Sequence, residues 1–181
     1  MILGLDVSTS TIGWCVLDSD GLFVDCGFIP LSKSPTLISK AKVSSSEFCK
    51  ILINYPIEKV YIEECLQRFT RGMSSAATIT KLASFNGIIQ YVSYEDFGVE
   101  PCLLNVNQAR KSVGLKTQSQ KKCGIQTKDQ VFSWVKTQIK YQWPTKILKS
   151  GPRKGLCINL PECFDMADAY VIARAGFCTL S

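Results

Sequence analysis

From Met1 to Pro30 the apolar positions come in short runs separated by polar turns. Met1 to Val7 is apolar except at Asp6, Ile12 to Asp18 (IGWCVLD) is a second run, and Leu22 to Ile29 is a third. Runs this short, bounded by turn residues, predict buried strands. Ser8 to Thr11 and Ser19-Asp20-Gly21 fill the gaps, and Asp-Gly is a hairpin signal. Three consecutive antiparallel strands are the simplest expectation. The period then changes. Pro35 to Tyr55 carries Phe48, Ile51, Leu52 and Tyr55 at helical spacing and stops at Pro56. Lys59 to Glu63 (KVYIE) predicts a fourth strand. Ser74 to Tyr94 predicts a long helix with a small-sided start (Ser74, Ser75, Ala76, Ala77), and Pro101 to Val106 a fifth strand.

Beyond that point the pattern weakens. Val106 to Gly114 suits a short helix and Lys128 to Lys140 an amphipathic one, while Tyr141 to Leu160 reads as irregular. Pro161 suits the first turn of a final helix running through Phe177. The order β-β-β-α-β-α-β-α-α predicts an α/β fold: a five-stranded mixed sheet, three antiparallel strands then parallel ones, with helices on both faces. A right-handed crossover through the first helix would make strands one and four parallel neighbours. Asp6 and Glu63 would then share the carboxyl edge of the sheet, where open α/β sheets bind ligands.

Composition narrows the chemistry. The 181 residues contain no histidine, which excludes an imidazole base, a Ser-His-Asp triad and a histidine-ligated zinc. A hydrophobic fraction of 46% suits one ordered domain spanning residues 1–181. The net charge of +6 points weakly towards a polyanionic partner. None of the nine cysteines forms a C-x-x-C pair, so they are expected to be reduced core residues of an intracellular protein. No signal peptide and no run long enough to span a membrane is evident.

What remains is a set of carboxylates. Asp6 and Glu63 each end an apolar strand. Glu64 follows Glu63, but successive strand residues face opposite ways, so only one can face a site, and Glu63 is the expected one. Asp165 and Asp168 lie three apart in FDMADAYVIARA, on one face of a helix. Each has an ordinary alternative: a strand-capping turn for Asp6, a surface pair for Glu63 and Glu64, and helix-dipole complementarity for Asp165 and Asp168. Brought together they offer oxygen ligands for Mg²⁺. Two such ions about 3.5–4 Å apart can activate a water and stabilise a leaving 3′-oxygen in phosphodiester hydrolysis. Lys128, heading the amphipathic helix, is the first candidate for neutralising charge at the scissile phosphate.

GLDVSTSTIGW, then VYIEE, then DMADAYVIA resemble the three acidic blocks of RuvC-type Holliday junction resolvases, nucleases of the RNase H-like superfamily. LLNVNQARKSVGLK and TKDQVFSWV sit where that family has its lysine-bearing segment, and the resemblance runs from residue 2 to about 176. It implies an RNase H-like fold and catalytic metal ligands at Asp6, Glu63, Asp165 and Asp168. It also implies an active-site lysine at Lys128 and paired Mg²⁺-dependent cuts in four-way DNA junctions, with Mn²⁺ as a substitute ion. A homodimer formed through the 74–94 helix is part of the same expectation. Phe69, in a loop that matches the family poorly, is the candidate for contacting bases at the junction centre. Arg68, Arg71, Lys121, Lys122, Lys146, Lys149, Arg153 and Lys154 are candidate phosphate contacts. The D-x-S-T turn is also similar to that of sugar kinases and actin-like ATPases, but those need a second lobe. The alternatives carried forward are an RNase H-like ribonuclease acting on structured RNA or RNA–DNA hybrids, and a non-catalytic junction-binding protein. Four intact acids beside phosphates argue against the latter. A bacterial, viral or organellar source is compatible with the sequence, an organelle-imported precursor being the least expected because no Arg-rich, acid-poor leader is evident.

Overall fold

The structure, a computed structural model, describes residues 1–65 and 76–179. Three strands, β1 (Ile2–Val7), β2 (Thr11–Leu17) and β3 (Phe23–Pro30), form the expected antiparallel meander. The β1–β2 turn closes on Ser8, whose hydroxyl donates to the Thr11 carbonyl (2.8 Å) and accepts from the Thr11 amide (3.1 Å). In the β2–β3 turn the Asp18 carboxylate accepts from the amides of Asp20 and Leu22. Gly21 there takes the left-handed conformation (φ 74°) that an L side chain would resist.

Helix α1 (Leu37–Asn54) starts at a capping box, in which Thr36 and Ser39 satisfy each other's backbone amides. It crosses over to β4 (Lys59–Glu63), which lies parallel to β1. Helix α2 (Ala76–Phe97) leads to β5 (Cys102–Leu104), parallel to β4. The sheet order is β3-β2-β1-β4-β5. Three helices follow: α3 (Val106–Ser112), α4 (Gln120–Cys123) and α5 (Thr127–Gln138). The last is α6 (Cys163–Cys178), with Pro161 in the turn ahead of it.

Period-two alternation along the strands builds two cores. Leu3, Leu5, Val7, Val16 and Ile62 pack with Phe48 and Ile51 of α1 and Phe85 and Ile89 of α2. On the opposite face Cys15, Leu17 and Tyr61 pack with α6 and with Val131 and Val135 of α5. Helices therefore cover both faces, as the pattern predicts.

Two expectations need correction. The stretch 141–160 is not irregular: β6 (Thr145–Ile147) and β7 (Cys157–Asn159) form a separate two-stranded hairpin. Strands of three residues are too short for alternation to register. Nor are the cysteines chiefly core residues. Only Cys15, Cys26 and Cys163 are buried, Cys49, Cys102, Cys157 and Cys178 are exposed, and all nine are free. No helix among the described residues is long and apolar enough to cross a membrane.

Candidate active site

The register of β1 against β4 sets Leu5 beside Ile62, and both point into the α1–α2 core. Asp6 and Glu63, one residue further on, therefore point to the other face, towards α6. On that face glycines let the helix come close. A Cβ on Gly4 would lie 2.5 Å from the Ala169 carbonyl and the Ala173 amide of α6. A Cβ on Gly13, which pairs with Asp6 across β1–β2, would collide with the carbonyl of Asp165. At the far end of the helix Gly176 rests on the Tyr61 ring. Small residues on both strands thus seat α6 directly on the sheet and carry its first turns, with Asp165 and Asp168, up to Asp6 and Glu63.

All four acids are half-buried and sense one another. Burial, then the charges of Glu63, Asp168 and Asp165, holds Asp6 well above the usual carboxylate range. Burial and then Asp168 push Glu63 up to about 7. Burial, then Asp168 and Glu162, push Asp165 up to about 6, with Lys128 acting in the opposite direction. Asp168 is also raised by burial, against the pull of Arg110. These are the responses of carboxylates taken out of water and crowded together without enough positive charge.

Two cations attend the cluster. Lys128 in the first turn of α5 sits over the Phe164 ring, 4.8 Å from its centroid, which places its charge beside Asp165. Arg110 of α3 donates from Nη2 to Asp168 Oδ1 at 3.2 Å, and its Nε is buried without a partner. Arg110 lies inside the LLNVNQARKSVGLK segment, but nothing in the sequence singles it out from its neighbours Lys111 and Lys116. Beside it the small, buried Ala109 lets α3 approach α6. Two further residues escaped sequence reasoning. Buried Asn86 of α2 donates to the Glu63 carbonyl (3.0 Å) and accepts from Gln90 (2.7 Å), fixing the end of β4. Glu162 adds its charge beside Asp165, and its Oε2 is buried without a partner.

Glu63 is thus the acid that joins the cluster. Glu64 lines a cleft of about 200 Å³ with Asp6, Ser8, Glu63, Leu82 and Asn86. Among the described residues no three acidic or cysteine side chains stand as a ready metal-binding group. Arg110 is instead the cation drawn onto Asp168. The donor set still suits a hard divalent ion: it offers only oxygen ligands, its proton affinities are raised by burial and then by mutual repulsion, and a guanidinium already supplies part of the missing charge. Lys121 and Lys122 are exposed on α4, and Lys146, Lys149, Arg153 and Lys154 are exposed on the β6–β7 hairpin. Arg68, Phe69 and Arg71 lie outside the described residues.

No protein-family model matches this chain, and no curated protein sequence matches it. Solved structures do. Thermus thermophilus RuvC in complex with Holliday junction substrate superposes with a TM-score of 0.61 at 16% identity, covering 99% of this chain and 94% of that one. RuvC from the same organism, in another structure, gives 0.61 at 19% identity, covering 99% and 95%. This chain has the RuvC fold. The yeast mitochondrial Holliday junction resolvase Ydc2 is a more distant match, with a TM-score of 0.52 at 17% identity over 98% of this chain and 77% of that one. Within that fold α6 lies across β1, β2 and β4 of the mixed sheet. The β6–β7 hairpin is built on that frame just ahead of α6.

Proposed function

We propose that this protein is a structure-selective DNA endonuclease that resolves four-way junctions by divalent-cation-dependent phosphodiester hydrolysis. The observation that carries the reading is the meeting of Asp6, Glu63, Asp165 and Asp168 at one sheet edge, beside Lys128 and Arg110, within a RuvC fold spanning 99% of the chain.

Asp6, Glu63, Asp165 and Asp168 would hold the metal. When bound, Mg²⁺ or its substitute Mn²⁺, with two ions expected per site, supplies the Lewis acidity that readies a water and stabilises the leaving oxygen. The rest falls to the chain. Strand positions fix Asp6 and Glu63, while α6 fixes Asp165 and Asp168, so the carboxylates are held in place before substrate arrives. Lys128, steadied by Phe164, is placed to meet charge developing on the phosphate, and Arg110 offers a second cation at the opposite acid. Lys121, Lys122 and the hairpin cations, all exposed, would hold the DNA backbone.

Paired cuts need two such sites in fixed relation, so the reading includes a homodimer. An exposed surface on α2 supports it: Tyr91 and Tyr94 line a shallow depression with Gln90, Glu100 and Pro101.

Replacing Asp6 or Asp168 with Asn keeps the side-chain shape and removes one negative charge. Each variant should cut a four-way junction on the order of 10³-fold more slowly while still binding it in gel-shift or anisotropy titrations. Full cleavage by either variant would remove these acids from the chemistry.

A further inference from the structure

The β6–β7 hairpin has a composition and a placement that the catalytic site does not require. From Thr145 to Pro161 the chain contains Lys146, Lys149, Arg153 and Lys154 and no acidic residue. Lys146 pairs with Ile158 and Ile147 with Cys157. The ladder continues through the Leu148 amide to the Leu156 carbonyl at 3.0 Å. Gly151 (φ 80°) and Gly155 (φ 88°) turn the tip, where Lys149, Arg153 and Lys154 gather. Two large aliphatic side chains stand in solvent on this small ribbon: Ile147 is 65% exposed and Leu156 53%. Directly opposed residues share a face and successive residues alternate. Ile147 therefore projects from one face and Leu156 from the other.

The base of the hairpin is held firmly. The Leu160 amide donates to the Pro144 carbonyl at 2.9 Å, and the Cys163 thiol reaches the same oxygen at 3.4 Å. Trp143 packs edge-on against Phe132 and Tyr141. β7 runs through Leu160 into the start of α6, the end of the helix that bears Asp165 and Asp168. A fixed base, a free basic tip and two apolar side chains thus leave the body beside the acid cluster.

We propose that this hairpin is a DNA-inserting arm. It enters the opening between duplex arms at a branch point, its cations on the flanking phosphates and Ile147 and Leu156 wedged against bases. This deepens the junction reading and rests on it. Charge selects the partner: an acid-free ribbon with four cations complements a polyanion. Aliphatic side chains flanked by cations are the means by which proteins unstack base steps. At a branch point continuous stacking is already interrupted, so a wedge there costs less than in linear duplex.

The test compares wild type with two variants, K146Q/K149Q/R153Q/K154Q and I147S/L156S. Each is titrated without divalent metal against a four-way junction and against linear duplex, over a range of salt. The junction carries 2-aminopurine at its centre as a reporter of unstacking, and thermal midpoints and light-scattering masses are recorded for all three proteins. The charge variant should keep its midpoint and flatten the log K against log salt line by about 0.9 for each phosphate it no longer neutralises. The wedge variant should keep the wild-type slope but lose the fluorescence rise that wild type produces. Wild-type slopes and fluorescence in both variants would overturn the arm and leave the junction reading standing. A wild-type protein that binds junction no better than duplex would instead sink the junction reading. The arm would then be judged on its duplex slope, and an unchanged slope would overturn it as well. A charge variant with wild-type slope and half the mass would assign the hairpin to a protein contact and also overturn the proposal.

Discussion

Glu63 is where the electrostatics of the site can be read most directly. Its proton affinity lies well above the ordinary value of 4.5, at about 7, because burial and then Asp168 disfavour its charge. The folded protein therefore keeps a proton that the unfolded chain gives up between those two values. Stability from this group is present below about 4.5 and is lost as the pH rises towards 7. Asp165, raised to about 6, adds a change of the same sign. Metal-free protein should thus melt at lower temperature at pH 7.5 than at pH 5. Glu63→Gln should raise the pH 7.5 midpoint while leaving the pH 4 midpoint nearly unchanged. A variant that melts lower than wild type at pH 7.5 would contradict the crowding of charge. The four acids were legible in the sequence because two end apolar strands and two share a helix face, and the absence of histidine left little else for them to do. Arg110 was not legible. A basic residue among basic neighbours on a short helix gives no periodic sign, and its meaning comes only from the approach of α3 to α6.

At the scale of elements, the contact that assembles the site is that of α6 against β1 and β2. The strands were readable because runs of six to eight residues fix both their period and which face they bury. What was not readable is how near the helix comes, because Gly4 and Gly13 act by lacking atoms. Gly13→Ala places a methyl against the Asp165 carbonyl, so the first turn of α6 must shift. Overpacking of this kind costs about 1–3 kcal/mol. The expected result is a lower thermal midpoint together with a loss of cleavage larger than the loss of stability explains, measured well below the melting temperature. Wild-type cleavage in a folded Gly13→Ala protein would show that the position of Asp165 tolerates the shift. The hairpin shows the converse. Its cations were evident from the sequence, but its strands were not, since three residues on each side cannot display a period.

Across the whole molecule, a four-way junction offers two equivalent strands to cut, and the described residues of one chain offer one acid cluster. Two-fold pairing through the exposed α2 surface would supply the second. Tyr91→Asp combined with Tyr94→Asp puts like charges on both sides of such an interface. The double variant should halve the mass seen by light scattering and turn paired cuts into independent single nicks. A wild-type protein of monomer mass at micromolar concentration, or a double variant that keeps the wild-type mass, would remove this surface from the account. The mixed sheet and its covering helices were predictable from the order of elements. The expectation of a homodimer through the 74–94 helix rests on the family resemblance, because surfaces leave almost no periodic trace in one sequence.

The most direct test is cleavage of a synthetic four-way DNA junction with Mg²⁺, run beside linear duplex and an RNA–DNA hybrid. Symmetric paired nicks on the junction alone, abolished by chelator, are the predicted result. Cleavage of the hybrid with the junction untouched would contradict it, and would make the acid cluster that of a ribonuclease.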